Sequence, residues 1–247
     1  MQAILELIEQ KNREFAQQPF FQYLADPEIE PRQKLSFAPI IAPIALDFSE
    51  LCNHVFKQEP TTDPLQKMVN QHADEEHFHW QWLLEDMGKL GIDYSMPFSD
   101  ALQFLWSEHT RVSRSMYRCF ERYTAGNDPI LKLVAIEVAE VTANVFFHAT
   151  RPIALQLQST MGQELRYFGM CHNQVENTHT LHMPDSMQTL RNLEVSEETY
   201  QRALEVVEQG FEFFNDLMQE FLAYMQTHSY QEPFGPAIQT QISLSAA

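Results

Sequence analysis

The chain has 247 residues, enough for one large hydrophobic core, and sets 16 Lys plus Arg against 34 Asp plus Glu for a formal net charge of −18. No Lys/Arg cluster offsets that charge, which argues against nucleic acid or an anionic membrane as the main partner. The three cysteines, Cys52, Cys119 and Cys171, are widely spaced and fit neither a disulfide framework nor a thiolate zinc site, so the expected compartment is a reducing cytoplasm.

Glycine is scarce, no linker or repeat divides the chain, and the prolines fall mostly at or near the edges of helical patterns. The expectation is an all-α protein with a single helical domain over residues 1–228 and a polar tail over 229–247. In residues 2–17, Ile4, Leu7, Ile8, Lys11 and Phe15 recur at helical spacing, and Gln18-Pro19 ends the pattern. The charges within Met1 to Phe15 leave room for neither a signal-peptide core nor a membrane span. Phe20, Phe21, Tyr23 and Leu24 make an aromatic knot before the Pro-rich turn 26–31. A second helix is expected from about Arg32 to Phe56, kinked at Pro39 and Pro43, each of which removes a backbone donor.

Asp63-Pro64 reads as an N-cap and first-turn proline opening a helix that ends near Gly88 to Gly91. Ser99 or Asp100 caps the next, to about Tyr123, on which His109 stands alone. Asn127-Asp128-Pro129 starts a helix expected to stop at Pro152. It is apolar around most of its circumference, yet Glu137, Glu140, Asn144, His148 and Arg151 share one face. The chain is then expected to be helical from about Leu155 to Met183 and from Ser186 to Asn192. A last long helix is capped by Ser196, with Phe211, Phe214, Leu217, Phe221 and Met225 on its apolar side.

Two of these segments carry the chemistry. His72, Glu76 and His79 stand at i, i+4 and i+7, and so do His172, Glu176 and His179; at about 100° per residue each triplet occupies a narrow arc of a helix. In both, apolar residues at the same spacing continue the stripe, so the triplets occupy core positions, where such groups are costly unless a cation compensates them. Two such helices and a carboxylate from the middle helix supply more ligands than one tetrahedral zinc needs, and suit a site for two metals. Glu76-x-x-His79 and Glu176-x-x-His179 also match the Glu-x-x-His construction of di-iron carboxylate bundles.

The Pro-containing early helix, the opening at Gln18-Pro19-Phe20-Phe21 and the three spaced polar helices resemble the heme-oxygenase-like fold of the TenA/THI-4 superfamily. His172-x3-Glu176-x2-His179 is similar to the last-helix motif of the heme-oxygenase-like di-iron oxidases. The resemblance covers most of residues 10–225. It implies His79 as the first-helix ligand, Glu140 as the middle carboxylate with Glu137 as alternate, and His172, Glu176 and His179 as the last set. His72 stands where that group has an acid, and Glu76 is an additional candidate. Asn144 and His148 are candidates for supporting roles around the ligands. The implied function is an O2-activating oxidase or oxygenase acting on a small amino-acid-like, amine or fatty-acid-like substrate, with two irons assembled weakly in the absence of substrate. A homodimer is compatible with it. The alternatives are a metal-free TenA-like hydrolase with a nucleophilic Cys, and a non-enzymatic metal- or ligand-binding protein of the same fold.

Overall fold

The computed structural model describes residues 1–76, 78–124, 128–172 and 184–235, and no strand occurs among them. The helices are α1 (Gln2–Phe15), α2 (Pro19–Ala25), α3 (Pro31–Lys34), α4 (Ala38–Glu50), which continues as a π-helical segment (Leu51–Phe56), α5 (Pro64–Glu75) and α6 (His79–Leu90). They are followed by α7 (Phe98–Leu105), two 3₁₀ turns, α8 (Met116–Thr124), α9 (Pro129–Met161), α10 (Pro184–Arg191) and α11 (Glu197–Thr227). The protein is therefore all-α.

Three helix starts follow from local chemistry. The side chain of Asp63 accepts from the N–H groups of Leu65 and Gln66, that of Asp128 from Ile130, and that of Ser196 from Thr199, each satisfying a donor that the first turn leaves open. Ten consecutive residues of α9, Leu131 to Glu140, are buried, because α1, α2, α3, α5, α8 and α11 all pack around it. Among these, the Lys132 ammonium donates to the carbonyl of Phe56 (2.9 Å) and to Gln66 Oε1 (3.3 Å), tying the end of the π-helical segment to α5 and α9. Burial lowers its pKa.

Four helical expectations are corrected. The span 32–56 divides at Leu35–Phe37, where the chain turns to bury Leu35, Ser36 and Phe37 and where Pro39 offers no N–H to continue the ladder. Pro152 does not end α9, which runs on to Met161 because Ile153, Ala154 and Leu157 are buried in the core; Gly162, at φ 69°, ends it. The segment 99–123 is interrupted by 3₁₀ turns at Glu108–Thr110 and Ser113–Ser115, held where Glu220 accepts from the N–H groups of Val112 and Ser113. The chain from 162 to 169 is not helical.

The stretch Pro31–Phe56 has the length and mean hydropathy (1.5) of a membrane span, but Phe37, Ile40, Ile41, Ile44 and Leu51 spend that apolarity on the core. Beyond α11, Tyr230 N–H donates to Gln33 Oε1, and the ring of Phe234 meets those of Phe104 and Tyr94, so residues 229–235 lie on the helical body.

α11 approaches α9 closely at Gly210, where a Cβ would fall 2.9 Å from Val138 Cγ1. Val138 is fully buried and β-branched, so its χ1 cannot yield easily. Gly210→Ala should therefore lose stability by ~1–3 kcal/mol in urea titrations, despite alanine's better helix propensity; a stabilised variant would contradict this packing.

Candidate metal centre

The first triplet does not lie on one helix. Glu76 is the C-terminal cap of α5 and His79 opens α6, with the break between them. The two halves pack on different partners, α5 against α9 and the π-helical segment, α6 against α4, and one straight helix could not serve both. Across the break His79 Nδ1 still lies 2.9 Å from Glu76 Oε2.

One turn earlier, His72 Nε2 meets Glu140 Oε1 of α9 at 2.6 Å. One ligand atom from each of His72, Glu76 and Glu140 lies within 4.8 Å of the others, and all three residues are buried. Donors around a single ion with bonds of ~2.0–2.2 Å stand roughly 3.4 Å apart at tetrahedral angles, so these side chains would have to close in on an ion that bound among them. Imidazole nitrogen with carboxylate oxygen, out of water, is a donor set for a divalent transition metal. His72, Glu76 and Glu140 could therefore hold a metal ion.

His172 comes to the same place from the other side. Its ring centre is 4.7 Å from that of His79, which stacks on Trp82 at 4.6 Å, and it packs against Phe147 and Tyr167. His72, Glu76, His79, Glu140 and His172 are thus brought together. Glu137 is buried one turn before Glu140 but is not part of the three-residue group. Asn144 and His148 are exposed and do not line the cavity beside the cluster. Glu176 and His179 lie outside the described residues.

That cavity has a volume of about 110 Å³. Glu76, His79, Glu140 and His172 contribute to its wall, and the remainder is almost entirely apolar, from Ile41, Ile44 and Phe48 of α4 to Phe214, Leu217 and Met218 of α11.

Sequence reasoning missed Cys52 and Asp86. Cys52 sits in the π-helical segment, fully buried, and burial together with the Glu76 and Glu140 carboxylates pushes its thiol well above the usual range. Cys52 should resist iodoacetamide in the native protein and react only after denaturation; peptide mass mapping of native labelling would reveal the contrary. Asp86, on α6, is fully buried by a segment 80 residues away, and nothing in its local sequence marks it.

No protein-family model matches the chain, and no curated protein matches it either.

Proposed function

We propose that the protein is a non-heme iron oxidase or oxygenase that activates O2 on a small organic substrate, built on a heme-oxygenase-like helical fold and using two irons. The observation that carries the reading is the buried group His72, Glu76 and Glu140, with His79 and His172 beside it, at the wall of an apolar cavity. Iron bound there would supply an open coordination position for O2 and a change of oxidation state, which a zinc ion does not.

The protein's own groups have separable tasks. Glu76 is grouped with His72 and Glu140, and its Oε2 lies 2.9 Å from His79 Nδ1, so these four residues would hold the metal. Phe147, Tyr167 and Trp82 surround His172 and keep water from that side of the cluster. The cavity is somewhat smaller than the ~150 Å³ cavity that admits benzene, so it suits a compact apolar body whose polar end faces the cluster. Among the substrate classes implied by the resemblance, that favours a short alkyl group of a few carbons over a long chain or a strongly polar body.

The hydrolase alternative needs an accessible thiolate. Cys171, which adjoins His172 and is partly buried, is the cysteine that reading would use, but at about 100° per residue it points off the His172 face. Cys52 is fully buried, and burial with the Glu76 and Glu140 carboxylates pushes its thiol up, which speaks against it.

The test is iron per chain in protein from iron-supplemented cells, with O2 uptake measured on alkyl acids and amines. The parent and His109→Ala should carry iron, and His72→Ala should lose it along with substrate-dependent O2 uptake. Equal iron in parent and His72→Ala would show that the cluster is not the site; iron without O2 uptake on any substrate would leave a metal-binding protein.

A further inference from the structure

The buried carboxylate of Asp86 accepts three consecutive backbone N–H groups from a non-helical segment: Arg166 at 2.8 Å on Oδ1, Tyr167 at 2.8 Å and Phe168 at 3.2 Å on Oδ2. The peptides held in this way then hold His172. Arg166 C=O accepts the backbone N–H of His172 at 3.2 Å, and Tyr167 C=O lies 3.0 Å from His172 Nδ1. A carbonyl can only accept, so Nδ1 carries the proton, and Nε2 is the nitrogen through which His172 would hold a metal. The same edge of α6 adds further grips: Lys89 Nζ donates to Glu164 C=O at 2.8 Å, and the Arg166 guanidinium lies 4.8 Å over the Trp82 ring while pairing with Glu85. Gly169 lets the segment fold this tightly, since a Cβ there would collide with the Leu165 carbonyl.

We propose that Asp86 is a positioning residue for the metal centre: through the 166–168 peptides it fixes the ring orientation and tautomer of His172, and so couples α6, which opens with His79, to the segment that carries the second triplet. The inference rests on His172 being a ligand, as in the function proposed above. Three hydrogen bonds to a buried carboxylate are charge-assisted, and together they make a rigid support. Outer groups that orient a ligand histidine typically matter by about 10- to 100-fold in metal affinity.

The experiment is a double-mutant cycle read by anaerobic Co(II) titration, following the visible absorption of bound cobalt. Asp86→Asn should weaken cobalt binding by about 10- to 100-fold. Combined with His172→Ala it should add nothing, because the ligand it positions is already gone, whereas combined with His72→Ala its full effect should persist. A purely structural role would weaken binding equally in both backgrounds, and that result, or unchanged affinity in Asp86→Asn, overturns the proposal. Lys89→Met, at a partly exposed position on the same edge, carries the same cycle with an effect of about 3-fold should Asp86→Asn not fold. A parent protein that takes up no cobalt overturns the metal reading itself, and the positioning role with it; cobalt uptake with an inert Asp86 overturns the positioning role alone.

Discussion

Glu140→Gln is expected to abolish the stabilisation that metal gives the protein without harming the metal-free fold. Two carboxyl groups, Glu76 and Glu140, are buried in one group, an arrangement that costs the fold unless a cation compensates it. Glutamine keeps the shape and a carbonyl oxygen for His72 Nε2 while removing one of the charges. Metal-free Glu140→Gln should therefore be at least as stable as the parent. The parent, given metal at 100 times its Kd, should gain about 2.7 kcal/mol, or roughly 5–10 °C in Tm for a chain of this size, and the variant should gain almost nothing. Thermal unfolding of both proteins with and without Fe(II) under anaerobic conditions measures all four values. Equal metal-induced shifts in parent and variant would remove Glu140 from the ligand set, and a metal-free variant that unfolds several degrees early would make Glu140 a structural partner of His72 instead.

The site was legible in the sequence where its signal is local. The caps at Asp63, Asp128 and Ser196 act within three residues of themselves, and the structure has all three. The His-x3-Glu spacing of His72 and Glu76 puts both residues on one face, and Glu140, which the resemblance implied as the middle carboxylate, is buried in one group with them. What the sequence concealed depends on distant partners. The spacing of His72, Glu76 and His79 reads as one continuous helix, whereas the chain breaks between Glu76, the cap of α5, and His79, the first residue of α6. Glu137 and Glu140 are buried and Asn144 and His148 exposed along one sequence stripe, because the cover over α9 does not extend its whole length, and periodicity cannot register where a neighbouring helix ends. Pro152 reads as a stop locally, and the buried residues that follow it overrule that reading. Asp86 looks like any acid on a helix until the segment 166–168 is laid across it.

Phe37→Ala is expected to be the most destabilising single change in the core, at ~3–5 kcal/mol. Its ring is fully buried at the turn between α3 and α4 and meets four others: Phe221 at 5.0 Å, Phe20 at 5.4 Å, Phe146 at 5.8 Å and Phe168 at 6.0 Å. Three of these contacts are edge-to-face, each adding roughly 0.5–1.5 kcal/mol beyond the area buried. Truncation leaves a void that the rigid neighbours cannot fill, since Phe20, Phe146 and Phe221 also pack on one another. A loss of that size is about a fifth or more of the ~5–15 kcal/mol that holds a typical domain together. Phe146 and Phe221 line the cavity, and Phe168 belongs to the segment that Asp86 holds, so the same ring backs both the substrate space and the support of His172. Phe37→Leu, which retains most of the volume, should cost under about 1.5 kcal/mol. Urea titrations should show the Phe37→Ala midpoint falling steeply with an unchanged slope, and Phe37→Leu in between. A loss in Phe37→Ala no larger than in Phe37→Leu would mean that the aromatic core relaxes into the space, and the cavity wall would then be a pliable surface instead of a fixed one.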